Sequence, residues 1–69
     1  VDREALIARK QEVRRRLARA QAALVEIENA AGPRQDRRRI AILQSEIDHL
    51  MAEEYNLRLA IDQAPRQRL

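Results

Sequence analysis

Apolar side chains recur along this chain at alternating steps of four and three. From Leu6 the series runs through Val13, Leu17, Ala20, Leu24, Ile27 and Ala31, with Lys10 as its polar member. A second series runs through Ile40, Leu43, Ile47, Leu50, Leu57, Ile61 and Ala64, with Glu54 as its polar member. The α-helix turns once every 3.6 residues, so this spacing lays one stripe of side chains along each of two helices. The strict alternation of a half-buried strand is absent.

The residues between and around the stripes set the expected limits. Asp2 is suited to cap a first helix, since its carboxylate can accept an N–H that the first turn leaves unpaired. Gly32 can leave the helical conformation after helix 1, and Pro33 fits the opening turn of helix 2, where its missing N–H is no loss. Ala64 precedes Pro65, which disfavours helical geometry there. The pattern predicts helices over about 2–31 and 34–63, each about 45 Å long. A turn is expected at 32–35, followed at the far end by a short basic tail, 65–69.

Two amphipathic helices joined by a short turn pack as antiparallel neighbours. The expected fold is therefore all-α: one domain over residues 1–69, an antiparallel two-helix coiled-coil hairpin. Centring it between Pro33 and Arg34 sets Leu6 against Ile61, Leu17 against Leu50, Ala20 against Ile47 and Leu24 against Leu43. The same register puts Lys10 and Glu54 in adjacent layers, where either their opposite charges fix the alignment or both side chains snorkel to water past their neighbours.

At 69 residues such a hairpin has a thin core. Further apolar residues gather beside the seam: Ile7, Ala18 and Val25 on helix 1, and Ala41, Met51 and Tyr55 on helix 2. Ile7, Val25, Met51 and Tyr55 are the expected protein interface. They would either join a second copy in a four-helix bundle or dock on a helical protein partner. On the other flank Ala23, Ala30 and Ala60 are small enough to let the helices approach closely.

Charge refines this picture. The chain carries 14 Lys and Arg against 11 Asp and Glu. The excess is uneven: helix 2 beyond Arg39 is acidic, and the middle of helix 1 is basic. The register suggests Arg16 paired with Glu53 or Glu46, Arg19 with Asp48, and Arg37 and Arg39 with Glu28 and Glu26. A second functional reading uses Arg14, Arg15, Arg34, Arg37 and Arg38 as a basic surface for nucleic acid. Electrostatics is its only warrant, since a chain with one aromatic side chain, Tyr55, offers no platform for base stacking.

Candidate chemistry is sparse. The single histidine, His49, reads as a solvated surface residue, and there are no cysteines. Ser45 has no positioned base, and Glu53 and Glu54 diverge as sequence neighbours, so neither supplies a catalytic constellation. The expectation is a non-enzymatic interaction, oligomerisation or adaptor element, without cofactor or metal, cytoplasmic and not in a membrane. In pattern, though in no stretch of residues, it resembles Rop-type hairpins. That resemblance implies a dimeric bundle that binds RNA. Small hairpin chaperones for helical clients are equally similar.

Overall fold

A computed structural model describes residues 2–30 and 36–64. It contains two helices, α1 (Arg3–Asn29) and α2 (Arg37–Gln63), packed against each other as a helical hairpin. Among the described residues there is no strand.

Both helices begin on an aspartate. The Asp2 carboxylate accepts the backbone N–H of Glu4 at 3.0 Å. The Asp36 carboxylate accepts that of Arg39, also at 3.0 Å. Each relieves one of the N–H groups that a first turn cannot pair internally. The second cap corrects the expected start at residue 34. Asp36 holds the boundary, so α2 begins at Arg37, and α1 ends at Asn29 rather than 31. The expected turn at 32–35, with Gly32 and Pro33, and the tail 65–69 lie outside the described residues. At the other end of α2, Ala64 is extended (ψ 141°), as the residue before a proline should be.

Burial follows the two stripes. Val13, Ala20, Ile47, Leu50 and Ile61 are buried, and Val13 is wholly inaccessible. Leu6, Lys10, Leu17, Leu24 and Ile27 on α1 are half-buried, as are Ile40, Leu43, Glu54, Leu57 and Ala64 on α2. Every described stripe position thus faces inward at least in part, while most others are open to solvent. Of the three flanking alanines, Ala23 and Ala60 are half-buried, but Ala30 is exposed because α1 has already ended there. The molecule measures 60 × 15 × 12 Å, only about one helix diameter thick in its shortest direction. Such a rod has one seam and no second layer to cover it.

The opening turn of α2 holds an electrostatic conflict. Arg37, Arg38 and Arg39 occupy its first three positions, and no acidic residue accompanies them. The N-terminal end of a helix carries partial positive charge, so these cations oppose the helix dipole and Asp36 alone offsets them. Replacing Arg38 with Glu should therefore stabilise the protein by about 0.3–1 kcal/mol, read as a higher urea midpoint. In the seam the effect runs the other way. Leu50→Ala should cost about 2–5 kcal/mol and strip most of the helical circular dichroism signal.

Candidate interaction surface

The exposed large apolar side chains are Val25, Ile42, Met51, Tyr55 and Leu59. Met51, Tyr55 and Leu59 follow one another at steps of four, so they form a row along α2. Met51 and Tyr55 are 53% and 58% exposed. Leu59 extends a row that the sequence pattern already began. Its spacing of four from Tyr55 was the available signal, obscured because it falls outside the heptad seam. Ile42 is also exposed but stands apart from this row, on another side of α2.

One ion pair defines how the flanks of the two helices combine. Arg9 binds Glu53 across the hairpin, with its Nη2 at 2.7 Å and its Nε donating at 2.8 Å. Each of these residues immediately precedes a seam position, Lys10 and Glu54 respectively. Ile7 and Met51 each immediately follow one, Leu6 and Leu50. The Arg9–Glu53 pair therefore marks one side of the hairpin and leaves Ile7 with the Met51–Tyr55 row on the other. Ile7 lies two residues before Arg9 and Met51 two before Glu53, and because the helices run antiparallel these steps lead in opposite directions, so the cluster is spread along the rod rather than held at one level. The side chain of Ile7 is half-buried there, not fully displayed as expected, since it lies close to the seam. Val25 shares its flank but stands about 27 Å farther along α1. The four expected interface residues thus divide into a cluster of three, joined by Leu59, and one outlier.

The remaining charges pair mostly within their own helices. Glu12 accepts from Arg15 at 2.9 Å and from Arg16 at 3.3 Å. Glu54 accepts from Arg58 at 2.8 Å. Arg16 thus pairs with Glu12 rather than with Glu53 or Glu46 as expected, and Glu54 pairs with Arg58. The expected pairs of Arg19 with Asp48, and of Arg37 and Arg39 with Glu28 and Glu26, are likewise absent from the ion pairs among the described residues. Neighbours three or four apart on one helix already stand side by side, so they meet with less loss of side-chain freedom than partners across the hairpin. At the open end, the Arg3 Nε donates to the Ile61 carbonyl at 3.5 Å, a long contact that ties the start of α1 to the end of α2.

The arginines considered for nucleic acid do not converge. Arg14 lies exposed on the Ile7 flank, Arg15 is held by Glu12, and Arg37 and Arg38 open α2 at the turn end of the rod. The Arg14–Arg15 and Arg37–Arg38 pairs are separated by about half the length of a helix, roughly 20 Å. Arg34 lies outside the described residues.

On the Arg9–Glu53 side an open hollow is lined by Arg9, His49, Ala52, Glu53, Asn56 and Leu57, with Ala60 at its end. His49 is exposed there, as the sequence suggested. Among the described residues no group of three or more His, Asp or Glu side chains could hold a metal ion. No helix among them is long and apolar enough to cross a membrane. No family model, curated protein or solved structure matches the chain. The character of the surface has to be argued from its own side chains.

One titration follows from this geometry. Hydrogen bonds from Arg15, then from Arg16, hold the Glu12 carboxyl below the ordinary glutamate value. Because the folded value is the lower one, the contribution to stability is complete above the ordinary value and is lost as pH falls through the folded one. A carboxyl-carbon NMR titration should give a depressed midpoint for Glu12. Arg15→Gln with Arg16→Gln should return it upward, and salt should move it the same way.

Proposed function

We propose that this hairpin is a non-catalytic protein–protein interaction element of coiled-coil type, acting as an oligomerisation or adaptor unit through the flank of Ile7, Met51, Tyr55 and Leu59. The observation that carries this reading is the imbalance between what is buried and what is not. Five side chains are buried, and five large apolar ones stand exposed. Three of the latter form one row, beside a half-buried isoleucine on the neighbouring helix. Two-helix units of this size seldom hold together on a single seam, and further packing on an apolar flank is the usual remedy. Methionine and tyrosine are also enriched where protein surfaces meet. The scarcity of convergent acid, base, nucleophile or ligand groups supports the non-catalytic part.

The nucleic-acid reading has less support. Binding of that kind rests on a basic stripe, and the arginines here are split between distant parts of the rod or engaged by Glu12.

Tyr55 is the only tyrosine, so it can be labelled alone. A chain carrying 3-fluorotyrosine at this position should show a shifted, broadened fluorine resonance in a lysate of cells that express the protein. Met51→Glu should restore the sharp line of an exposed ring. An unchanged sharp line in the unaltered chain would sink the reading, because the flank would then be plain solvated surface.

A further inference from the structure

The flank carries charges as well as apolar groups, and their order bears on what covers it. Arg14 stands five residues after Arg9, and Asp48 stands five before Glu53. Arg14 and Asp48 are therefore related by the same axial stagger as the Arg9–Glu53 pair that bridges α1 and α2 at 2.7 Å. Within one hairpin these two side chains lie on the flank away from the Arg9–Glu53 side and remain exposed. Neither Arg14 nor Asp48 belongs to an ion pair among the described residues.

A second hairpin laid on this flank with its turn at the same end would bring its α2 antiparallel to α1, level with the first copy's own α2. At the observed stagger Arg14 then faces Asp48 of the other copy. Ile7 faces Tyr55, and Met51 sits beside Gln11 and Ala18. Two-fold symmetry repeats every one of these contacts. The helices as wholes agree. Between Arg9 and Arg19, α1 carries six basic residues and one acidic; between Glu46 and Asp62, α2 carries five acidic and one basic. Same-end docking sets basic α1 on acidic α2. Docking with the turns at opposite ends would set basic against basic and acidic against acidic, which disfavours that orientation.

We infer that the occupant of the flank is a second copy of this chain, docked with both turns at one end, so that the Ile7–Met51–Tyr55–Leu59 clusters of two hairpins close a parallel-sided four-helix bundle rimmed by reciprocal Arg14–Asp48 contacts. This rests on the interaction reading above and adds to it the partner and the orientation.

The test is sedimentation equilibrium of the purified 69-residue chain at moderate salt, with helicity followed by circular dichroism. The unaltered chain should be a dimer. Arg14→Glu and Asp48→Arg, both exposed positions, should keep their helicity at saturating concentration and dissociate about tenfold more readily, since each sets like charges face to face twice. Mixing the two variants should restore the original affinity as a heterodimer, and so should the R14E/D48R double variant as a homodimer. A chain that stays monomeric across the concentration range would overturn the inference. The fluorine signal of Tyr55 would then still decide, independently, whether some other protein covers the flank. A dimer indifferent to both single variants, or one that mixing fails to restore, would overturn the same-end arrangement.

Discussion

The burial of one apolar seam between two helices is the interaction on which the rest of this molecule depends. Helices of 27 residues have little stability in water without a packed face. Here that face is made of Val13 and Ala20 on one side and Ile47, Leu50 and Ile61 on the other, with half-buried neighbours above and below. Because there is only one seam, its other side chains keep some contact with solvent, and Val13 alone among the described ones is wholly inaccessible. The polar members show how narrow the margin is: Lys10 and Glu54 occupy seam positions while remaining only half-buried, their charged ends within reach of water. Glu54 is moreover paired with Arg58 at 2.8 Å, which satisfies its carboxylate at the edge of the seam.

The electrostatics are arranged around this seam without deciding it. One direct ion pair, Arg9 with Glu53, crosses between the helices among the described residues; the others run along a single helix. Exposed pairs of this sort contribute little stability. Their value lies in orientation: Arg9 and Glu53, with Arg3 reaching the Ile61 carbonyl, favour one antiparallel alignment over its alternatives. The arginine cluster that opens α2 works against the helix dipole, so the seam has to hold α2 in place despite its own first turn.

The heptad spacing alone made the hairpin legible, because burial period and helical period are the same quantity seen from two directions. Asp2 and the Ala64–Pro65 boundary were legible for a related reason, since caps and prolines act through their own backbone. Asp36 was not legible as a cap. Pro33 offers a valid helix start in sequence, and only the hydrogen bond from Arg39 shows that the aspartate three residues later takes that role. The ion pairs were misread because long arginine side chains have several acids within reach. Sequence levels state which acids are near but not that Glu12 can hold Arg15 and Arg16 together. Of the flank, Met51 and Tyr55 were legible as apolar residues next to the seam. Leu59 was not, since its outward heptad position resembles ordinary surface.

These two layers of organisation, seam and flank, are coupled through geometry. A helix pair that packs at a fixed antiparallel stagger imposes the same stagger on every residue outside the seam, including those that do not touch each other within one hairpin. Arg14 and Asp48 lie on different helices of one hairpin and have no part in the ion pairs among the described residues, yet their spacing repeats that of Arg9 and Glu53. A surface built by such repetition is complementary to itself wherever α1 and α2 differ in sign of charge and the copies meet α1 to α2. Within one hairpin the charge difference between the helices is used across the seam by Arg9 and Glu53, while the other ion pairs among the described residues stay local to one helix. Met51, Tyr55 and Leu59 stand exposed on this flank, and the stagger and the segregation of charge constrain the shape of any partner proposed for it.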